Sequence, residues 1–451
     1  MDLQFEKIAE PGSFILVCGK TGSGKTSLLK KWNKMLSGRA MMVMQNPDNQ
    51  IVMDTVRSEL AFGLSNKGFE DDKVKRRVAE TAAYFSLGKM LDMHTDSLSG
   101  GEKQILNLAS VMALDPEILL LDEPTSMLDP VMADRLIQMI KQINKEYMKT
   151  VIITEHRPED LFDYADKIIL TDNGNVEYMG TPAKTAEYMI SKGYTEMLPA
   201  SARIFSEERP VPLTVKAGRK YIKQTGTVRG CDKTINDYGD VKLIMKDIYF
   251  SYDSKQRMIL NDFSMNLYSG KIHVLVGENG SGKTTVAKII SGKLKPYSGK
   301  IKGNKCKVSV LSQDVTDHFT KDDYDGIHPY DISGGEQQKL ALSLVMKNNP
   351  DILILDEPTK GLDAFEKENL NNTITEMSKI GKTILIIAHD IEFAVKTADI
   401  IYMISNGQNV FFGNAVSFCK DNVFYTTPVS RMWKGISNNV ITDREAKEWN
   451  S

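Results

Sequence analysis

The sequence predicts an α/β chain of two tandem domains, each organised around a mostly parallel sheet. At 451 residues the chain exceeds the size at which one core keeps growing, so two domains are expected. A single ordered series of short motifs occurs twice along it, as an internal repeat does. In both copies an apolar run precedes a glycine-rich loop and a helical pattern follows it. Strand, loop, helix is the unit from which alternating α/β domains are built.

The first copy opens on the strand pattern Phe14-Ile-Leu-Val-Cys18, and its loop runs from Gly19 to Lys25-Thr26. A helical pattern follows, with Leu28, Leu29 and Trp32 on one face. Then come Gln45, Leu98-Ser-Gly-Gly-Glu102, the apolar strand Ile118-Leu-Leu-Leu121 with Asp122-Glu123-Pro behind it, and His156. The second copy repeats the order: Ile272-His-Val-Leu-Val276, Gly277 to Lys283-Thr284, a helix with Val286, Ile289 and Ile290, then Gln313, Ile332-Ser-Gly-Gly-Glu336, Asp356-Glu357-Pro and His389. Lys25 and Lys283 lie 258 positions apart but His156 and His389 only 233. Order is kept and spacing is not. Between the copies, Pro210, Pro212, Gly218, Gly226 and Gly230 mark a connector. The expected domains are 1–206 and 241–451, joined by 207–240.

The loops carry phosphate chemistry. Gly22, Ser23 and Gly24, and likewise Asn279, Gly280, Ser281 and Gly282, let backbone N–H groups curl around phosphates at a helix N-terminus. Lys25 and Lys283 neutralise phosphate charge, Thr26 and Thr284 are placed for Mg²⁺, and Ser27 and Thr285 follow them into the helix. One chance match to this pattern has a probability of roughly one to two per cent, and two in the right context far less. Asp122 and Asp356 end buried strands at the edge of the sheet beside the phosphates, where each can hold the Mg²⁺ shell. Glu123 and Glu357 are placed to orient or deprotonate water. A nucleoside triphosphate with Mg²⁺ is therefore expected at each loop.

Composition narrows the rest. Charged residues make up 26% and hydrophobic ones 41%, ordinary for a globular protein. A formal net charge of −2 gives no overall attraction to polyanions, and no nucleic acid is expected as a partner. Cys18, Cys231, Cys306 and Cys419 lack C-x-x-C spacing, which argues against zinc or Fe–S modules and suits a reducing cytosol. The N-terminus shows no secretory pattern. The apolar runs are far shorter than the ~20 residues of a membrane-spanning helix, so action on a membrane requires a partner.

Ser-Gly-Gly before a helical stretch, upstream of each Asp-Glu pair, resembles the signature motif of the ABC ATPases, and the resemblance covers nearly the whole chain. It implies two P-loop ABC domains whose ATP sites are sandwiched between copies as an internal pseudo-dimer. Ser333, Gly334 and Gly335 then complete the site of Lys25, and Ser99, Gly100 and Gly101 that of Lys283. It further implies Asp129 and Asp363 in the loop that couples the sites, and His156 and His389 as γ-phosphate switch histidines. Gln45 and Gln313 fall at the metal and the attacking water.

Gln45-Asn-Pro-Asp-Asn-Gln-Ile51, Thr55-Val, Leu60-Ala-Phe-Gly-Leu64, and the tails Leu198-Pro-Ala-Ser-Ala-Arg203 and Thr427-Pro-Val-Ser-Arg431 resemble the ATPase subunits of energy-coupling factor (ECF) transporters. That likeness implies uptake of a vitamin or metal ion through a transmembrane coupling protein and a small substrate-binding membrane protein. The chain then sits peripherally on the cytoplasmic face of the membrane. The alternative is a soluble ABC ATPase acting on the ribosome or nucleic acid. Such fused relatives usually carry a charged helical arm or an Fe–S cluster, whereas this connector carries prolines and glycines.

The copies are trimmed differently. Only 20 positions separate Lys25 from Gln45, and the chain begins almost at the loop strand, so the first domain is expected to have a reduced β-subdomain. Tyr252 of the second copy is either an aromatic that stacks on adenine or an ordinary strand residue. Gln45 to Ser99 spans 54 positions and Gln313 to Ser333 only 20, so the second domain is expected to have a reduced helical subdomain. The first keeps one, with Val74, Val78, Ala82 and Phe85 at helical spacing. It therefore makes most of the contact with a membrane partner, and Asp48 and Glu59 are either contacts for basic coupling helices or solvated carboxylates.

Overall fold

The computed structural model describes residues 9–36, 38–155, 161–223, 226, 239–253, 258–303, 306–313, 318–319 and 334–451. Two compact units divide at Met1–Pro199 and Ala200–Ser451.

In the first unit, β1 (Phe14–Cys18) is five buried residues in a row, as a strand covered on both faces must be. The helix α1 (Lys25–Met35) follows the loop and buries Leu28, Leu29 and Trp32. Next come β2 (Ala40–Val43), α2 (Val56–Asn66), α3 (Asp71–Tyr84), α4 (Gly100–Ala113) and β3 (Ile118–Asp122). The unit closes with α5 (Pro130–Tyr147), β4 (Thr150–Thr154), β5 (Lys167–Asp172), β6 (Asn175–Gly180) and α6 (Pro182–Ser191). The sheet order is β2-β3-β4-β1-β5-β6, parallel except for β6, which returns antiparallel on β5. Val74, Val78 and Ala82 are the buried face of α3, and Phe85 is buried just beyond it, as their spacing predicts. Thr55 caps α2 by accepting from Ser58 N at 3.2 Å.

The second unit begins with α7 (Ala200–Ile204) and α8 (Val215–Gly218). The end of the expected first domain, from Ala200, and part of the expected connector thus fold onto this unit. Then β7 (Val241–Phe250), β8 (Leu260–Tyr268), β9 (Ile272–Gly277), α9 (Lys283–Ile290), β10 (Ser298–Lys302) and β11 (Val308–Leu311) follow. The chain continues through α10 (Gly334–Met346), β12 (Ile352–Asp356), α11 (Ala364–Lys379), β13 (Thr383–Ile387) and α12 (Ile391–Thr397). It ends with β14 (Ile400–Ser405), β15 (Gln408–Gly413), α13 (Ala415–Asp421), α14 (Pro428–Trp433) and α15 (Asp443–Asn450).

Its main sheet, β11-β12-β13-β9-β14-β15, repeats the order of the first. A second sheet, β10-β7-β8, is antiparallel, and among the described residues the first unit has no counterpart to it. That is the reduced β-subdomain the sequence predicts. The stretch that corresponds to α2 and α3 lies almost wholly outside the described residues of the second unit. No helix among the described residues is long and apolar enough to cross a membrane.

Candidate functional site

Each glycine loop joins the first strand of its unit to the helix behind it, so its backbone sits at the carboxyl edge of the sheet, where ligands bind in open α/β folds. Gly24 has φ +88°, and a Cβ there would meet Gly174 Cα at 2.6 Å. Gly282 has φ +107°, with Leu260 Cδ2 at 2.8 Å from such a Cβ. Only glycine fits either place. By contrast, a Cβ on Gly22 or Gly280 would meet nothing within 4 Å, so both face open space.

Inside the first loop the Lys25 ammonium, buried with its side chain, donates to Gly19 O at 3.0 Å and Lys20 O at 3.3 Å, and lies 3.8 Å from Glu123 Oε1. In the second, Lys283 donates to Gly277 O at 3.0 Å and Glu278 O at 2.8 Å. Both ammonium groups are folded back on their own loops. Ser23 Oγ is 3.0 Å from Thr171 Oγ1, while Ser281 Oγ is buried without a partner. Ser27 and Thr284 are exposed and Thr285 is buried. Asn279 is half-buried.

The acidic pairs close on these loops. Thr26 Oγ1 donates to Asp122 Oδ1 at 3.0 Å, and so does Thr154 Oγ1, also at 3.0 Å. Burial pushes the Asp122 carboxyl above its usual range, with the Thr26 and Thr154 bonds working against that. Asp356 is pushed up to about 6 by burial and then by the charge of Glu357, against a bond from Thr284. Its Oδ1 is buried without a partner. Gln45 Nε2 donates to Glu123 Oε2 at 2.9 Å, and Gln313 Nε2 to Glu357 Oε2 at 2.8 Å. His389 Nε2 lies 3.0 Å from Glu357 Oε1. Burial opposes the charge on Glu357, but the hydrogen bond and charge of His389 outweigh it and hold the carboxyl below its ordinary value. Both glutamates have left-handed backbones, φ 44° at Glu123 and 51° at Glu357. Non-glycine residues hold such angles only where their surroundings impose them, and functional sites are where this concentrates.

The chain's own fold thus gathers Lys25, Thr26, Asp122, Glu123 and Gln45 in one place, and Lys283, Asp356, Glu357, Gln313 and His389 in another. Ser99 caps α4 in a capping box with Glu102: its N and Oγ donate to Glu102 Oε2 at 2.8 and 2.7 Å. Gly100 and Gly101 open that helix, and a Cβ on Gly101 would meet Met132 Cε at 2.9 Å. Gly334 and Gly335 open α10. His156 and Ser333 lie outside the described residues. Asp129 caps α5, accepting from Val131 N and Met132 N at 3.1 and 3.0 Å, and Asp363 caps α11 in a capping box with Glu366. Tyr252 is 56% exposed, edge-on to Phe250 at 5.0 Å, with its hydroxyl 3.2 Å from Thr285 Oγ1.

One expectation is corrected. Glu59 is not a surface carboxylate: it is 5% exposed, and Oε2 accepts from Val52 N and Met53 N at 3.0 and 2.9 Å. It ties the loop after Gln45 to the start of α2, because those N–H groups otherwise have no acceptor. Asp48 is exposed and pairs with Lys103 at 2.6 Å. Three residues that motif reading passes over also shape the first site. Thr154 Oγ1 accepts from Glu123 N at 2.9 Å. Glu155 Oε1 accepts from Thr125 N and Oγ1 at 3.1 and 2.7 Å, and Ser126 Oγ donates to Glu123 O at 2.9 Å. The available signal was the contrast between Thr-Glu-His in one copy and Ile-Ala-His in the other.

The ABC transporter family model matches residues 4–126, 260–320 and 304–360. A Bacillus cereus protein named as an ABC transporter ATP-binding protein is 33% identical over 94% of this chain and 90% of its own length. One of the same name from Clostridium tetani is 33% identical over 86% and 98%, and one from Methanosarcina mazei 26% over 88% and 89%. Among solved structures, the archaeal ribosome recycling factor aABCE1 in complex with stalk protein aP1 aligns at TM-score 0.58 and 20% identity, over 92% of this chain and 89% of that one. RNase-L Inhibitor aligns at 0.56 and 20%, over the same shares. At that identity the likeness is one of fold. With loops, acidic pairs and sheet order all duplicated, the chain belongs to the ABC transporter ATP-binding family, as a tandem of two ABC ATPase domains.

Proposed function

We propose that the chain hydrolyses Mg-ATP and that the motion this drives is delivered to membrane partners. Lys25 and Lys283 turn from their own loop carbonyls to the phosphates. Glu123 and Glu357 orient water and accept its proton, while Gln45, Gln313 and His389 hold those carboxylates in place by hydrogen bonds, with His156 as the counterpart of His389. The donor set suits Mg²⁺: hydroxyl and carboxylate oxygens beside an amide, with Asp356 Oδ1 buried and unpartnered. Thr26, Asp122 and Gln45 would hold one ion and Thr284, Asp356 and Gln313 the other. Bound with ATP, the ion spreads the charge of the phosphates. Ser99 with Gly100 and Gly101, and Ser333 with Gly334 and Gly335, supply helix N-termini to the nucleotide, and Tyr252 stacks on adenine.

The observation that carries the transport reading is a groove beside Gln45. Asp48, Asp54 and Asp96 rim it, Val52 and Met53 line it, and Lys103 lies at its edge. Val52 is 61% exposed, and Met44 and Met93 are exposed nearby. An acidic groove with exposed apolar side chains beside it suits a basic amphipathic helix, such as the cytoplasmic helix of a transmembrane coupling protein. A small substrate-binding membrane protein completes such a transporter of the ECF kind. A second reading, action on the ribosome, is favoured by the likeness in fold to aABCE1 along nine-tenths of the chain.

Mild-detergent affinity purification from native membranes, run beside ribosome co-sedimentation, separates the two. Recovery of a multi-helix membrane protein, lost on Asp54→Lys with Asp96→Lys while ATP binding persists, supports transport. Co-sedimentation with ribosomes and no membrane partner sinks that reading and leaves the ATPase standing.

A further inference from the structure

The segment that follows the first ABC domain is built into the second unit. Ala200 and Phe205 are buried in one cluster with Val429, Met432 and Trp433, and Phe205 stacks on Trp433 at 6.2 Å and 4°. Gly218 sits so close to α14 that a Cβ would meet Met432 Sδ at 2.6 Å. From this packed base Arg203 extends a side chain that is 12% exposed. Its Nε donates to Asp443 Oδ2 at 2.7 Å, and its terminal nitrogen pairs with Glu392.

Glu392 lies in the first turn of α12, three residues after His389. The start of that helix is gripped from a second side. Asp390 accepts from Phe393 N at 3.1 Å as its cap and pairs with Lys367 of α11 at 2.8 Å. Two ion pairs therefore fix the turn behind His389, whose Nε2 is 3.0 Å from Glu357 Oε1. One comes from within the ABC domain and the other from the tail of the first. A guanidinium that meets two carboxylates in a fixed fork sets orientation as well as charge.

We propose that Arg203 is a positioning residue for the second hydrolytic site. Carried by the tail of the first ABC domain, it holds His389 and hence Glu357 in register through Glu392. The chain connects residue 199 directly to this anchor, so a pull on the first unit reaches the second site by a covalent route. The inference rests on the proposed roles of Glu357 and His389.

The test measures ATP hydrolysis by the full chain carrying Glu123→Gln, which leaves the second site to turn over. Arg203→Met and Glu392→Gln should each lower kcat about ten-fold, since small misplacements of reacting groups act on the chemical step, with the KM for ATP changed by less than about two-fold. Arg203→Lys should restore much of the loss. Asp443→Asn takes the charge from another partner of the same guanidinium without touching α12, and its kcat should stay within about two-fold. Wild-type kcat in Glu392→Gln overturns the proposal, as does a loss that follows melting temperature equally across all four variants. Hydrolysis that survives Glu357→Gln in this background would instead overturn the reading of the site itself.

Discussion

In both units the strand that carries the acidic pair lies parallel to the strand ahead of the histidine, so Asp122 stands opposite Thr154 and Asp356 opposite Ile387. The groups that would face nucleotide are the same, but the residues behind them are not. The turn around Glu123 is held by the Thr154 hydroxyl, by Glu155 through Thr125 and by the Ser126 hydroxyl. At the matching positions the second unit has Ile387, Ala388 and Lys360. Its Glu357 N donates to Ile387 O at 2.9 Å, with no side-chain hydroxyl behind it, and Asp356 keeps a bare buried oxygen. A duplicated site can thus keep every motif residue while its pre-organisation diverges, because motifs record what touches the ligand and not what fixes it in place.

The largest expected effect is loss of the glutamates. Glu123→Gln with Glu357→Gln should cut turnover by about a hundred-fold or more, the range removed with a general base, while ATP binding persists. Undiminished hydrolysis would take both residues out of the mechanism. The single variants sharpen the comparison. If the clamped turn is the better prepared, Glu123→Gln alone removes more turnover than Glu357→Gln, and equal losses would break the contrast.

Next in size are the clamps themselves. With the second site silenced by Glu357→Gln, Glu155→Ala or Thr154→Val should lower kcat about ten-fold, because a hydrogen bond to a charged group is worth roughly 1.5–3 kcal/mol. The reciprocal change, Ile387→Thr with Glu123→Gln, offers Asp356 the hydroxyl that Asp122 has. It should raise second-site turnover several-fold, to about the level of the first site. No gain there would mean that the missing hydroxyl does not limit the second site.

The unevenness of what sequence discloses follows from the same contrast. The gathering of Gly24, Lys25, Asp122 and Glu123 around one loop was legible because a phosphate loop calls for particular residues at short, fixed spacing on a strand–loop–helix unit. The mostly parallel sheets followed from the repeated strand–loop–helix pattern, and the reduced β-subdomain of the first domain from the 20 positions between Lys25 and Gln45. Thr154 and Glu155 were not legible, since their partners lie across a parallel pairing some 30 residues away in the chain. Glu59 misled because a carboxylate on an amphipathic helix is usually wet, and only the loop folding over α2 reveals two N–H groups in need of it. The docking of residues 200–222 onto α14 and α15 rests on Phe205, Trp433 and Arg203, whose partners lie more than 180 positions away.

A smaller effect is expected at adenine. Tyr252 is exposed at the edge of the second loop, and among the described residues the first unit has no strand pair to present an equivalent. Tyr252→Ala should weaken ATP binding about two- to ten-fold, the worth of one aromatic stack, with Tyr252→Phe near wild type. Titration of nucleotide into Lys25→Ala and Lys283→Ala chains isolates each site in turn. Affinity left in the Lys25→Ala chain should exceed that left in the Lys283→Ala chain, and equal values would count against asymmetric nucleotide holding.

The smallest effect falls on stability alone and divides the two units by a single strand residue. β9 carries His273 where β1 carries Ile15. The ring is fully buried: Nδ1 faces Ile384 O at 3.2 Å and Nε2 accepts from Tyr268 N at 2.9 Å. Such a ring must be neutral, since a proton on Nε2 would point at an N–H. Burial accordingly lowers its pKa to about 4, against upward pulls from the bond with Ile384 O and from the charge of Asp399. The folded value lies below the unfolded one, so the stability is complete above about 6.5 and drains away as pH falls toward 4. At pH 5.5 the loss is about 1 kcal/mol, or roughly 2–4 °C in the unfolding temperature of a unit this size. Asp356, raised to about 6, works in the opposite direction, so wild type must be compared with a chain in which only the ring is gone. His273→Gln keeps an acceptor for Tyr268 N and should flatten the slope of melting temperature between pH 6.5 and 5, whatever it costs at neutral pH. A slope unchanged in that variant would mean that the acid sensitivity of the second unit lies in its carboxylates and that His273 is no heavier a burden than Ile15.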